Sequence, residues 1–178
     1  MDLFRCESSL LRGHWVRVVI DVFTRRISGF GVRDEAIDGP ALCRMFNHAS
    51  AGHPPHVRIG TDYDPLFRFY RWSANLRILE VAEIESVPYV PMSHPFVERL
   101  IGTIRREYLD HTLFCNSIDL HRKLGKFQIY YNRFRVHRPI DGHMSLYRAA
   151  NVSFAKANFT RHAWERHCNR FLEIPVAA

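Results

Sequence analysis

The stretch Trp15-Val16-Arg17-Val18-Val19-Ile20-Asp21-Val22-Phe23-Thr24-Arg25-Arg26-Ile27-Ser28-Gly29-Phe30-Gly31-Val32 decides the fold. Two apolar runs rich in β-branched residues flank the compact link Phe23-Thr24-Arg25, which is the pattern of two strands joined as a hairpin. Upstream, Asp2 to Glu7 reads as another short strand, and Ser8 to Gly13 supplies polar turn material before Trp15. Three consecutive strands with short links predict an antiparallel meander.

Downstream, Asp38-Gly39-Pro40 opens a helix whose apolar residues Ala41, Leu42, Met45 and Phe46 fall at helical spacing. Val57 to Thr61 is a fourth strand, short and buried in character. Residues 65–75 are aromatic-rich and predicted helical in part, and Leu76 to Val81 and Val87 to Val90 read as strand-like pieces. From His94 the period changes to helix, with Val97, Leu100, Ile101, Ile104 and Tyr108 on one face. A second long helix is predicted from about Ile118 to Arg133, with Leu120, Leu124, Phe127 and Tyr131 as its stripe, and a further helix near 161–171. Strand and helix alternation alone gives α/β or α+β. A meander, a helix, a strand and then mixed elements is the order of an RNase H-like α/β fold, a mixed sheet of about five strands flanked by helices, and that narrower assignment rests on the motifs below.

At 178 residues the chain is one domain by length, with an ordinary apolar fraction of 47%. A net charge of +7 and a pI near 9.6 point to a polyanionic partner, nucleic acid first. Of the 25 basic residues 22 are arginine, which suits bidentate phosphate contact, although a genome rich in arginine codons accounts for the excess as well. Cys6, Cys43, Cys115 and Cys168 show no Cys-x-x-Cys spacing, so no zinc knuckle or dithiol motif is supported. Scattered thiols, no signal peptide and no apolar run of membrane-spanning length predict a cytoplasmic protein without a membrane partner.

Asp62 follows a short apolar strand, where side chains leave the sheet end and meet ligands. Glu98 lies 36 positions on, in the opening turn of its helix, where the dipole favours a carboxylate. Asp2 stands at the start of the first strand. Three acids on separate elements can hold two divalent cations, the arrangement that in-line phosphodiester chemistry uses. Arg105, seven residues beyond Glu98, projects from nearly the same helix face. Taken alone, Glu98 and Arg105 fit the solvated side of an amphipathic helix equally well.

The segments Gly60-Thr61-Asp62-Tyr63-Asp64-Pro65-Leu66-Phe67 and Ser93-His94-Pro95-Phe96-Val97-Glu98-Arg99 to Glu107 resemble the second and third acidic motifs of integrase-core (DDE) transposases, in the superfamily of retroviral-type integrases. Val19-Ile20-Asp21-Val22-Phe23-Thr24-Arg25 is similar to that family's second-strand motif. Tyr130-Tyr131-Asn132-Arg133-Phe134-Arg135-Val136-His137-Arg138 with Gly142 resembles the segment after the catalytic core. The likeness covers roughly residues 1–150, leaving 151–178 as a C-terminal extension expected to be helical in part. It implies a catalytic triad of Asp2, Asp62 and Glu98 holding two Mg²⁺ or Mn²⁺ ions. It also implies metal-dependent DNA strand cleavage and strand transfer, with transposon ends and target DNA as partners and a homo-oligomer as the working form. Arg99, Arg105, Arg106, Arg135, His137 and Arg138 are the expected phosphate contacts.

Two departures qualify the resemblance. Family members carry sequence before the first Asp, whereas this chain starts one residue ahead of it, which implies a clipped first strand with Asp2 on a fraying terminus. The alternative reading is therefore a catalytically inert DNA-binding remnant. Asp64 stands where many relatives have glycine, either as a further ligand or, the preferred reading, as the start of a turn before Pro65. Asp21 reads as a turn-supporting acid. The Phe67, Phe69, Tyr70 and Trp72 cluster reads as core in preference to a base-stacking platform. The histidine clusters His53 with His56 and His162 with His167-Cys168 read as solvated or capping, and His94 as a neighbour of Glu98.

Overall fold

The computed structural model describes residues 1–34, 36–52, 58–61, 64–85, 95–135 and 162–177. Strands β1 (Asp2–Glu7), β2 (Gly13–Ile20) and β3 (Ile27–Arg33) form the predicted meander in that order. β1 runs antiparallel to β2 with Asp2 opposite Val18 and Glu7 opposite Gly13. The expected fraying at Asp2 does not occur: the strand pairs from Asp2 onward, and Met1 is 6% exposed within the core. Burying an apolar side chain of that size is worth about 1.5–3 kcal/mol, enough to hold the start of a strand in place.

Asp21 closes the β2–β3 link. Its Oδ1 accepts from the amides of Phe23 (2.8 Å) and Thr24 (3.3 Å), and its Oδ2 from the Thr24 hydroxyl (2.7 Å). The carboxylate thus satisfies turn amides that no strand partner reaches, as Asp does in tight links. On β3, glycines at 29 and 31 let the first helix, α1 (Gly39–Ser50), pack directly on the strand. A Cβ at 31 would stand 2.5 Å from the Met45 carbonyl oxygen, and one at 29 would collide with the Ala49 carbonyl. Asp38 caps α1 by accepting from the Ala41 amide at 2.7 Å, as the Asp-Gly-Pro signature predicts.

β4 (Arg58–Thr61) pairs in parallel with β5 (Ala82–Glu85). Between them come a 3-10 turn at Pro65–Arg68 and helix α2 (Tyr70–Ile78). Leu76 to Val81, expected as a strand, is instead the end of α2 and its exit turn. Leu76 and Val81 pack into the core from either side of a reversal at Glu80, whose φ is +56°. The five strands are hydrogen-bonded as a three-stranded sheet and a two-stranded parallel pair, not as one continuous sheet. The Met1 nitrogen reaches across from the start of β1 to the Gly60 carbonyl of β4 at 3.2 Å.

One core cluster gathers Met1, Val19, Leu42, Phe46, Ile59, Phe67, Trp72 and Leu76. Arg17 lies fully buried beside it, its guanidinium 4.8 Å from the Trp72 ring and 5.2 Å from the Phe67 ring. Its Nη1 donates to the Leu42 carbonyl at 2.9 Å. Aromatic faces are the environment in which a desolvated guanidinium is least costly.

Helices α3 (Pro95–Glu107) and α4 (Ser117–Arg133) follow, close to their predicted spans. The chain divides into two compact units, Met1–Ile20 with Ser28–His121, and Asp21–Ile27 with Arg122–Ala178. In the second, Asn132 clamps Ile27, its Oδ1 accepting from the amide (2.8 Å) and its Nδ2 donating to the carbonyl (2.9 Å). The helix expected near 161–171 is a β-hairpin, β6 (His162–His167) and β7 (Leu172–Ala177). Leu172, Ile174 and Val176 alternate with exposed Glu173 and Pro175, a period of two. Cys168, Asn169 and Arg170 take positive φ at the turn, which ends any helical continuation.

Candidate active site

The positions of Asp2 and Glu98 follow from their elements. Asp2 is half-buried at the head of β1, with its Oδ1 accepting from the Leu3 amide at 2.6 Å. Side chains alternate along a strand, so Asp2 shares a face with Phe4 while Met1 and Leu3 turn to the core cluster. Phe4 is 4% exposed, and the guanidinium of Arg105 from α3 lies over its ring at 5.6 Å. Arg105 Nη2 also donates to the Arg5 carbonyl at 3.1 Å. The helix that carries Glu98 is therefore fastened to the Asp2 face of β1. Glu98 itself is exposed in the first turn of α3, about two turns before Arg105.

The apolar stripe read from sequence seats α3: Val97, Leu100, Ile104 and Tyr108 are buried, together with Thr103. Ile101, counted in that stripe, is only half-buried. Arg99 and Arg106 are exposed, and Arg135 lies with its guanidinium 5.5 Å from the Tyr131 ring. Asp62, His94, His137 and Arg138 fall outside the described residues. Among the described residues no group of three or more His, Cys, Asp or Glu side chains comes together as a metal site.

The approach to Asp62 is nonetheless well defined. Thr61, at the end of β4, is fully buried, and its Oγ1 donates to Glu83 Oε1 at 2.8 Å. Trp72 Nε1 donates to the same oxygen at 2.8 Å. One carboxylate oxygen on β5 thus fixes the residue immediately before Asp62 and the central side chain of α2. Sequence reasoning missed Glu83, because Ala82-Glu83-Ile84-Glu85 lies between the two segments read as strand-like and carries no local signal of its partners. It missed Arg17 for the opposite reason, since a cation inside a valine run carries no local signal of its aromatic cage.

Several sequence readings gain a structural account. Asp64 caps the 3-10 turn, accepting from the Leu66 amide at 2.8 Å, which is the turn-starting role. Phe67 and Trp72 are core, whereas Tyr70 is exposed. All four cysteines are free thiols. Burial pushes the Cys6 thiol up to about 11, against the opposing pull of Arg105, so it is protonated and unreactive at neutral pH.

Residues 81–144 match the family described as the integrase core domain. No curated protein matches the chain significantly. Among solved structures it is similar to a chain of the simian T-cell lymphotropic virus intasome in complex with PP2A regulatory subunit B56 gamma. There the identity is 18% and the TM-score 0.67, covering 92% of this chain and 59% of that one. The HTLV-2 integrase catalytic core domain in complex with magnesium, in its dimeric form, aligns at 18% identity and a TM-score of 0.62, over 82% of this chain and 90% of that one. The catalytic core domain of BIV integrase aligns at 14% identity and a TM-score of 0.57, over 84% and 93%. The fold is the RNase H-like fold of those cores, with its sheet split as described.

Proposed function

We propose that this chain is the catalytic core of a DNA transposase or integrase, performing metal-dependent strand cleavage and strand transfer. Asp2, Asp62 and Glu98 are its catalytic carboxylates. The observation that carries this reading is the grip of Arg105 on Phe4 and Arg5, because it holds the Glu98 helix against the face of β1 that bears Asp2. The Met1–Gly60 hydrogen bond adds to it, since it sets the start of β1 beside β4 two residues before Asp62. The inert-remnant alternative rested on a fraying Asp2, and that residue is paired with Val18.

The donor set fits a hard divalent cation: carboxylate oxygens, one half-buried on a strand and one exposed on a helix, suit Mg²⁺ or Mn²⁺. Two such ions, when bound, stabilise the attacking and leaving oxygens of an in-line phosphoryl transfer. The residues of the chain do the rest. Asp2, Asp62 and Glu98 would hold the ions. Arg99 and Arg106 offer exposed forks to phosphate, and Arg105 keeps donors beyond the one it gives to β1. Arg135, His137 and Arg138 extend the DNA contact. Residues 1–150 form the core domain and 151–178 an extension, working on transposon ends and target DNA as a homo-oligomer in the cytoplasm. No helix among the described residues is long and apolar enough to cross a membrane.

The test is cleavage and joining of labelled duplex ends with Mg²⁺ or Mn²⁺. Glu98→Gln is expected to lower product formation at least ~100-fold, as loss of a metal-holding group does, with unchanged thermal unfolding. Tight DNA binding with no metal-dependent product from a folded chain would instead establish the inert remnant.

A further inference from the structure

We propose that His48 of α1 and His121 of α4 hold a divalent transition-metal ion of the zinc type, which ties the two helices together. Both residues belong to the first compact unit. The donors are imidazole nitrogens, which suit zinc, nickel and copper, whereas the carboxylates of the proposed catalytic site suit magnesium and manganese.

The geometry of the two rings carries the proposal. His48 Nε2 and His121 Nε2 stand 3.2 Å apart, with ring centroids at 4.7 Å. Zn–N bonds of about 2.0–2.1 Å meeting at a tetrahedral angle set two ligand nitrogens about 3.3–3.4 Å apart. The centroids exceed the nitrogen separation by less than two ring radii, so the rings do not meet head-on but form a V with the nitrogens at its narrow end. A straight N–H···N bond wants the head-on arrangement, whereas two imidazoles on one ion take the V. The ligating form of histidine is the neutral ring, and burial together with the neighbouring His48 holds the His121 pKa below its ordinary value.

Both rings line a cavity of about 460 Å³, which leaves room for waters to complete the coordination, with the Ser117 hydroxyl on the same wall. Arg33 and Arg44 also line it, and their charges oppose a further cation. With two protein ligands and that opposition, the affinity falls below that of a three- or four-ligand site, and a solution anion such as chloride is the expected additional ligand.

Zinc chloride is titrated into the full chain near neutral pH, following the ring nitrogens of His48 and His121 by NMR. Both rings are expected to saturate together and to end in the Nδ1–H tautomer, because each Nε2 is then bound to metal. A hydrogen bond between the rings leaves one of them with its proton on Nε2, so the tautomers separate the two cases. His48→Gln and His121→Gln should each weaken this event ~10-fold or more, since losing even an outer-shell partner costs a metal site that much. At the exposed position 48 the substitution should leave thermal unfolding of the metal-free chain unchanged, while zinc should raise the Tm of the parent chain and not of either variant. Magnesium should shift neither ring. Rings that ignore zinc in a folded chain, zinc uptake that survives both substitutions, or rings that respond to magnesium or inorganic phosphate as strongly as to zinc would each overturn the proposal.

Discussion

Asn132 is buried, and its amide group bonds both the N–H and the carbonyl of Ile27. Gln128 Nε2 adds a third at 3.0 Å, to the same carbonyl. Removing the Asn132 amide leaves the Ile27 N–H buried without that acceptor, so Asn132→Ala is expected to cost ~1–3 kcal/mol, read as a lower urea midpoint at unchanged m-value. His121 makes a prediction of different sign structure. Its pKa is lowered in the folded chain, so between the ordinary histidine value of 6.5 and that lowered value the unfolded chain binds the extra proton first. Stability contributed by the neutral ring is complete above pH 6.5 and declines as pH falls through the lowered pKa. His121→Asn should flatten the stability profile across that window, and an unchanged slope would show that the ring titrates normally.

At the scale of elements, β4, β5 and α2 meet on a single carboxylate oxygen, Glu83 Oε1. Glu83→Ala removes the acceptor for the buried Thr61 hydroxyl and the Trp72 indole at once. A loss of ~2–4 kcal/mol is expected from two abandoned donors, with a shift in Trp72 fluorescence. Under the proposed function the affinity for Mn²⁺ should fall further than stability alone explains, because Thr61 directly precedes Asp62. Gln in place of Glu83 keeps an accepting oxygen and should recover most of both. Helix α3 was legible because its apolar residues repeat at three and four. The β6–β7 hairpin was not, since Ala163-Trp164-Glu165-Arg166 has no alternation and only Leu172-Glu173-Ile174-Pro175-Val176 does.

Across the whole molecule, the net charge of +7 predicts DNA affinity that falls steeply with salt. Exposed Arg106, if it contacts phosphate, carries about one unit of that slope, so Arg106→Gln should reduce the log–log salt slope by about 1 for any duplex sequence. The sequence by itself determined the meander, the capped α1 and the two long helices, because periodicity and capping are properties of neighbouring residues. It also assigned Asp21 and Asp64 to turns, since each acid bonds amides two or three positions away. Only the tertiary structure decided that Asp2 is paired and not frayed, because that depends on Val18 and on the core around Met1. It alone set Arg17 among Phe67 and Trp72, put Glu83 under Thr61, and brought His48 to His121 across 73 positions of chain. Contacts between residues so far apart are selected by how whole elements pack, and no local pattern of side chains encodes them.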